Sequence, residues 1–359
     1  MTFPDRPALL RTAGTLAIGA AGGAAAALMS LPLPWMIGSL VAVAVSAIGG
    51  LTIAGQPIAI PMWLRFVMVP IIGVLLGASV TPEVARQIPG WWPTILGLVF
   101  FVPLASLAVA WAYRRFFGFD PATAYFSGVP GGLVEMAIIG DSHGGDPRFI
   151  SFIHFGRLTM AVVAVPFALR AIYGPVGSAA LKAGQLDTPL AAADVAILAA
   201  CAIAGFLAGR AMKLPGYQIV GPIVLSAIAH ATGLTKANPP YVLIQIAQVV
   251  VGASLGARFA GFTPAHIRRG ALAIVTGFVM LASCTILAAL FAAAVGHENV
   301  VPLGLAYAPG GVTEMSLIAL SLNFSVAFVT VHHMARIFIA VMVAPWVYGL
   351  IWKKKDEGG

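Results

Sequence analysis

The sequence predicts an all-α polytopic membrane protein built from two inverted repeats. Three observations lead to this fold class: an apolar composition, a succession of long apolar segments, and a seven-residue motif that occurs twice. Hydrophobic residues make up 60% and charged residues 9% of the 359 residues, and the mean hydropathy is +0.97. So few charges cannot cover a water-soluble surface. Because a helix of about 20 apolar residues crosses a bilayer core of roughly 30 Å, we expect most of the chain to lie in the membrane.

The repeat is defined by a seven-residue motif and by a pair of residues downstream of it. Pro130–Met136 has the sequence Pro-Gly-Gly-Leu-Val-Glu-Met, and Pro309–Met315 has Pro-Gly-Gly-Val-Thr-Glu-Met. At the same distance after each copy comes a His-x-x-Arg pair and then a proline. Self-similarity at a fixed spacing indicates a duplicated fold. We therefore predict a first membrane repeat over residues 1–173, a linker over 174–189 and a second membrane repeat over 190–359.

Each half contains six apolar segments. They lie near residues 10–30, 35–50, 60–80, 93–113, 121–141 and 149–171 in the first half, and near 190–210, 217–234, 238–260, 271–295, 300–322 and 327–352 in the second. Pro-Gly-Gly interrupts the fifth segment of each half, and freed backbone groups survive in a membrane only where protein or a water-filled cavity satisfies them. We therefore expect five transmembrane helices per half plus a re-entrant or broken helix.

The distribution of Lys and Arg favours opposite orientations of the two halves. If the fifth segments are re-entrant, most basic residues fall on one side of the membrane. They include Arg114–Arg115, Arg268–Arg269 and Lys353–Lys355. The positive-inside tendency then predicts an inner-membrane protein with both termini in the cytoplasm. The net charge of +8 comes from scattered residues rather than from a basic face, so we expect no nucleic-acid partner.

Two glutamates mark the breaks as candidate sites. Glu135 and Glu314 each come three residues after the second glycine of a motif, in the first turn after the interruption. An exposed helix N-terminus carries partial positive charge, so we expect such a carboxyl either to stay ionised or to exchange a proton. Ionisable groups at membrane depth are costly and indicate function.

The His-x-x-Arg pairs are the second group of candidates, because each pair lies on one helical face. An imidazole beside a permanent cation suits anion binding or proton relay. The predicted substrate- or ion-binding set is Gly131, Gly132, Glu135, His154, Arg157, Gly310, Gly311, Glu314, His333 and Arg336. The structural alternative is that each arginine only neutralises the glutamate of its own half.

Other features have structural interpretations. Asp141, His143 and Asp146 form a polar loop that we interpret as solvated, with a metal site as the alternative. We predict no metal, no cofactor and no disulfide. We expect four glycines to allow close packing of helices. We expect four tryptophans to anchor the protein at the membrane–water interface. These residues are Gly73, Gly77, Gly252 and Gly256, and Trp91, Trp92, Trp346 and Trp352.

The two motif copies, the His-x-x-Arg pairs and the stretch Leu31–Gly38 (Leu-Pro-x-x-Trp-Met-Ile-Gly) resemble the AbrB-type duplicated membrane proteins. The resemblance covers nearly the whole chain. It implies a duplicated integral membrane fold, and members of the family are labelled ammonia monooxygenase or regulators of gene expression. A copper site needs clustered imidazoles, whereas these histidines are scattered, and no soluble basic domain is present for direct DNA binding.

The functional prediction is a secondary transporter and not an enzyme. We expect alternating access coupled to protons or cations, with a small anionic substrate of the carboxylate type. The expected partners are the lipid bilayer and this substrate. Further copies of the chain, forming a homo-oligomer, are an open alternative. A membrane-embedded sensor that affects gene expression indirectly is the alternative from another class. A metal-dependent membrane oxygenase is the third.

Overall fold

A computed structural model of the chain describes residues 6–173, 190–214, 216–261, 264–295, 299–322 and 324–353. The predicted linker over 174–189 lies outside the described residues. Each predicted apolar segment contains a helix, and the fifth segment of each half contains two, separated by the Pro-Gly-Gly motif. The interruption of both fifth segments is therefore confirmed.

The helices succeed one another with short connections. In chain order they are α1 (Arg6–Leu28), α2 (Pro34–Ile48), α3 (Met62–Ala78), α4 (Pro82–Gln87), α5 (Trp92–Phe117), α6 (Pro121–Gly128), α7 (Leu133–Ser142), α8 (Pro147–Tyr173), α9 (Ala192–Ala211), α10 (Tyr217–Ala231), α11 (Tyr241–Gly256), α12 (Pro264–Ala294), α13 (Val300–Tyr307), α14 (Val312–Ser321) and α15 (Val326–Tyr348). Strands β1 (Thr52–Ile53) and β2 (Gln56–Pro57) form a small antiparallel pair.

Six of these helices are long and apolar enough to cross a membrane, judged by length and composition. They are α5 with the turns before it, α8, α9, α11 with the turn after it, most of α12, and α15 with the turn after it. The all-α polytopic membrane class is thus confirmed. The number of crossing helices in each half and the opposite orientation of the halves stay predictions.

Local sequence explains where several helices begin. Proline occupies the first turn of α2, α5 and α6, where its missing N–H costs no hydrogen bond. The Asp120 side chain caps α6 by accepting a hydrogen bond from the Thr123 amide at 2.8 Å. Ser325 caps α15 in the same way through the Phe328 amide.

Contacts divide the chain into two compact units, and each unit combines segments from both sequence halves. The first consists of Met1–Ala85, Pro166–Ile267 and Leu320–Phe324. Within it, α3 packs on α10 and α11 packs on α2, so the halves exchange partners. A Cβ on any of the four glycines predicted to pack would collide with a facing backbone carbonyl oxygen, which confirms their role. The pairs are Gly73 with Ile219, Gly77 with Ile223, Gly252 with Met36 and Gly256 with Leu40.

The second unit consists of Arg86–Val165, Arg268–Ala319 and Ser325–Gly359. It contains α5, α6, α7, most of α8, most of α12, α13, most of α14, and α15. Both broken helices and every residue of the predicted binding set belong to this unit. In it, α5 packs on α6 and α15, and α13 packs on α15.

Candidate functional site

The break in the first half has a backbone that favours glycine. Helix α6 ends at Gly128, and Val129 is extended. Gly131 and Gly132 then take φ angles of +154° and +62°, and Gly132 becomes the N-cap of α7. Only glycine enters this region of backbone space without steric cost. The motif Pro-Gly-Gly therefore ends one helix and begins the next within four residues.

Helix α7 returns alongside α6, so the two form a helical hairpin. The Asp146 amide, just beyond the end of α7, donates to Thr123 Oγ1 at 2.8 Å, in the first turn of α6. The rings of Phe126 and His143 lie 5.3 Å apart between the same two segments. The carboxyl end of α7 therefore lies beside the first turns of α6, and the glycines lie at the other end of the hairpin. A helical hairpin of this kind is what the predicted re-entrant arrangement requires, and the re-entrant arrangement itself stays a prediction.

Arg157 of α8 satisfies carbonyl groups that the first break leaves without helical partners. Its Nη1 donates to the Ser127 carbonyl at 3.1 Å, and its Nη2 donates to the Val129 carbonyl at 2.9 Å. The side chain is 4% exposed. In the described part of the chain, no ion pair joins Arg157 to Glu135. The Arg157 guanidinium therefore stabilises the carboxyl end of α6. Its positive charge is not neutralised by the Glu135 carboxylate.

Arg336 of α15 does the same at the second break. Its guanidinium donates to the carbonyls of Tyr307, Ala308 and Gly310, the first at 3.1 Å and the last at 2.8 Å. The side chain is 2% exposed. In both halves the arginine thus binds the carbonyl that directly precedes the motif proline. This contact is common to the two copies.

The two arginines face one small cavity of about 120 Å³. Its lining comes from both breaks and from the two helices that carry the arginines. The lining residues are Gly131, Gly132, Leu133, His154, Arg157, Leu158, Pro309, Gly310, Gly311, Val312, Arg336 and Ile337. The volume is enough for several water molecules or a small anion. Both guanidiniums line this one cavity, so an anion placed between them would relieve their mutual repulsion in a low-dielectric site.

The two histidines of the His-x-x-Arg pairs have different environments. His154 lines the cavity; its Nε2 donates to the Phe126 carbonyl at 2.7 Å, and its Nδ1 lies 3.1 Å from Nη2 of Arg157. A guanidinium has no acceptor, so Nδ1 accepts and this imidazole is neutral. His333 is fully buried with Nδ1 at 3.1 Å from the Val329 carbonyl, and it is not among the cavity residues.

The two glutamates lie behind the glycines rather than in the cavity wall. Glu135 Oε2 lies 3.3 Å from where a Cβ on Gly132 would stand, and Glu314 Oε2 would collide with a Cβ on Gly311. Each carboxyl therefore folds back over the N-cap of its own helix, the position of the acidic residue in a capping box. The second glycine of the motif makes room for this carboxyl. Seven of the ten predicted residues meet at the cavity, and Glu135, Glu314 and His333 do not line it.

A buried polar layer beside the second break was missed by the sequence analysis. His332 Nε2 lies 2.8 Å from Thr94 Oγ1, and the Tyr307 hydroxyl donates to the Thr94 carbonyl. Trp91, predicted to be an interfacial anchor, is instead buried with its ring 6.3 Å from that of His332. One sequence signal was available: Ile153 occupies the position in the first half that matches His332.

A larger cavity of about 610 Å³ lies between α5 and α12. Apolar side chains line most of it, and Phe100, Leu104 and Phe291 on its rim are each more than 60% exposed. In a membrane protein such a face contacts hydrocarbon. We therefore place the candidate site at the smaller cavity, where the charges are.

The polar loop after α7 serves as a helix cap. Asp146 Oδ1 accepts hydrogen bonds from the amides of Arg148 and Phe149 at the start of α8, at 2.9 and 3.1 Å. His143 Nδ1 lies 2.8 Å from the Ile139 carbonyl. Among the residues that the structure describes, no group of three His, Cys, Asp or Glu side chains is arranged to hold a metal ion.

Two known proteins match nearly the whole chain. A protein of Bacillus subtilis strain 168, "Uncharacterized protein YhjN", is 26% identical over 381 residues, covering 97% of this chain and 96% of the relative. A protein of Escherichia coli strain K12, "Putative regulator AbrB", is 21% identical over 316 residues, covering 88% and 89%. The family described as "Transition state regulatory protein AbrB" matches residues 35–351. The resemblance deduced from the motifs is thereby confirmed, and the chain belongs to the AbrB family.

Proposed function

We propose that the protein is a secondary transporter for a small anionic solute of the carboxylate class. One observation carries the proposal: two buried guanidiniums, one from each half, face the same cavity between two helix breaks. Burying a like-charged pair without an anion is costly, since each ion loses several kcal/mol of hydration. A carboxylate fits because its two oxygens can accept charge-assisted hydrogen bonds from both guanidiniums.

The remaining donors of the guanidiniums suit this role. The Nε atoms of Arg157 and Arg336 are buried and have no hydrogen-bond partner among the described residues. The Nη atoms meanwhile hold the break carbonyls. An arginine offers five N–H donors, so each side chain can anchor the backbone and still bind a solute oxygen. The cavity volume of about 120 Å³ limits the solute to a few heavy atoms unless the breaks move apart.

Glu135 and Glu314 supply the proposed coupling to protons or cations. Each carboxyl lies in the first turn of a helix that begins at the cavity, so its charge state acts on the glycines that line the site. Glu135 is half-buried, whereas Glu314 is 6% exposed. We propose that the carboxyls take up and release the coupling ion while the arginines hold the solute, in a cell membrane with both termini cytoplasmic.

Uptake into proteoliposomes tests the transport role. The full chain would be reconstituted and offered a panel of radiolabelled monocarboxylates and dicarboxylates under an imposed pH gradient. Arg157→Lys and Arg336→Lys keep the positive charge and lose the planar fork, so we expect uptake per folded molecule to fall at least roughly tenfold. Arg86→Lys, at an exposed position, is the matched control and should leave uptake unchanged.

Coupling is tested separately with Glu135→Gln and Glu314→Gln. We expect both variants to lose uptake driven by the pH gradient and to retain exchange of labelled for unlabelled solute across the vesicle. Unaltered gradient-driven uptake in both variants would remove the glutamates from the mechanism without touching the arginine site. Absence of uptake of every carboxylate by the native chain would remove the transport proposal itself.

The relative named as a regulator favours a second candidate, a membrane-embedded sensor that moves no solute. A sensor would bind the same anion at the same arginines. It would show solute-dependent stabilisation in detergent without flux in vesicles. Deletion of the gene would then change expression of other genes, and the change would be rescued by the Glu135→Gln and Glu314→Gln variants.

A further inference from the structure

We propose that a cavity at the carboxyl end of α5 binds the phosphodiester headgroup of an anionic phospholipid. The cavity has a volume of about 520 Å³ and is separate from the arginine site of the breaks. Its polar end is formed by the paired arginines Arg114 and Arg115, and Trp111 and Trp352 form part of its wall.

The positive charge at this cavity is free to bind an anion. Arg114 and Arg115 are exposed, and neither makes an ion pair within the described ranges. Among the described acidic residues, Asp120 is the nearest to this pair in sequence, and its carboxylate caps α6. Two adjacent guanidiniums offer a set of N–H donors that matches a phosphate diester.

The shape of the cavity distinguishes a lipid from a free anion. Leu107, Ala110, Phe119 and Ile351 line it together with the arginines, and Leu107 stands two helical turns, roughly 10 Å, before Arg114 along α5. The lining therefore combines two guanidiniums with an apolar surface, as a headgroup joined to acyl chains requires. Free phosphate would gain nothing from the apolar surface.

The tryptophans place this cavity at the membrane boundary. Trp111 is 61% exposed, and Trp352 stacks on Tyr348 with ring centroids 5.0 Å apart. Tryptophan is enriched at the headgroup level, where its ring is apolar and its N–H is polar. Basic pockets at this level bind anionic headgroups.

Binding would be measured on the purified full chain in a neutral detergent, by native mass spectrometry and by the rise in unfolding temperature on adding lipid. The probes are phosphatidylglycerol, phosphatidylcholine and water-soluble glycerol 3-phosphate. We expect phosphatidylglycerol to bind and stabilise the chain, phosphatidylcholine to bind at least tenfold more weakly, and glycerol 3-phosphate to leave the unfolding temperature unchanged.

Variants locate the site. Arg114→Gln combined with Arg115→Gln should weaken phosphatidylglycerol binding by roughly thirtyfold, since each basic residue near a membrane surface contributes about 1 kcal/mol. Arg86→Gln is the matched control, because Arg86 is an exposed arginine of α4, which precedes the amino end of α5, and it should leave binding unchanged. Replacement of both residues by lysine keeps the charge and should weaken binding only several-fold.

Three results would overturn the proposal: equal binding of both phospholipids, unchanged binding in the double glutamine variant, or binding of glycerol 3-phosphate as tightly as the lipid. The last would assign the arginines to a soluble phosphate compound. If the glutamine pair fails to fold, the lysine pair decides the question through its preference between the two phospholipids.

Discussion

The two helix breaks have the same construction and different surroundings. Each joins an eight-residue helix to a ten-residue helix, and each offers the carbonyl before the motif proline to a buried arginine. In the first break Gly131, Gly132 and Glu135 are half-buried, whereas in the second Gly310 and Glu314 are buried. The duplication thus preserved the scaffold of the break, and the exposure of its acidic group changed.

The elements that support the two breaks also differ. The first is closed by the hydrogen bond between Thr123 and the Asp146 amide. Beside the second lies the polar layer of His332, Thr94 and Tyr307, and the position of the first half that matches His332 holds the apolar Ile153. We infer that the second break is the fixed wall of the site and that the first is the one that moves.

The largest expected effect concerns the arginines. Arg336→Met removes the donor to the Ala308 and Gly310 carbonyls, while the Tyr307 carbonyl keeps a hydrogen bond from Thr285. Leaving two buried carbonyls unsatisfied should lower the free energy of unfolding by roughly 4 kcal/mol, at about 2 kcal/mol each. Equilibrium unfolding in mixed micelles measures the loss.

The matched change in the first half should cost about half as much. In Arg157→Met the Val129 carbonyl keeps the Gly131 amide as a donor, so only the Ser127 carbonyl is left without a partner among the described residues. The expected loss is roughly 2 kcal/mol. Equal losses in the two variants would contradict the view that the second break depends more on its arginine.

The next prediction concerns the glycine that precedes α7 and the glycine that precedes α14, which are required for two different physical reasons. Gly132 has a φ of +62°, so Gly132→Ala strains the backbone, whereas Gly311 has no positive φ and its substitution displaces the Glu314 carboxyl. Each change should cost roughly 1 to 2 kcal/mol. The measurement is a double-mutant cycle in each half.

The two cycles should give opposite answers. Glu314→Ala should recover most of the cost of Gly311→Ala, because the colliding carboxyl is gone. Glu135→Ala should recover little of the cost of Gly132→Ala, because backbone strain does not depend on that side chain. Similar coupling energies in both halves would mean that one mechanism acts at both glycines.

A smaller effect is expected from the polar layer. His332→Ile introduces the residue found at the matching position of the first half and removes the hydrogen bond to Thr94. We expect a loss of about 1 to 1.5 kcal/mol. Thr94→Val also removes the hydrogen bond to the Trp91 carbonyl, so it should cost less in the His332→Ile background than in the native chain, whereas an equal cost in both would show that the two side chains do not act together.

The sequence was sufficient for the features that have a local cause. Proline followed by paired glycines predicted both interruptions, and the ends of α6, α7, α13 and α14 fall within the fifth apolar segments. The glycine spacing predicted close packing at positions such as Gly73 and Gly252. These predictions succeeded because a missing N–H or a missing Cβ acts on the backbone nearest to it.

Features that depend on three-dimensional partners could not be predicted. The alternative in which Arg157 neutralises Glu135 rested on opposite charge, yet carbonyls freed by the break lie nearer to the guanidinium. The contact between His332 and Thr94 joins residues 238 positions apart, which no spacing rule anticipates. The division into two compact units likewise arises from the exchange of helices between halves.

The smallest expected effect tests whether the first break is the mobile one. Thr123→Val removes the side chain that accepts from the Asp146 amide and should cost only about 0.5 to 1 kcal/mol, since one neutral hydrogen bond is lost. Because that bond closes the hairpin at its base, we expect amide exchange at residues 143–146 to rise by roughly fivefold, with little change at the second break. Thr232→Val is the control, as its hydroxyl bonds only to carbonyls of its own helix. A rise of the same size at residues 308–311 would mean that the two breaks open together and that the hairpin closure does not set their difference.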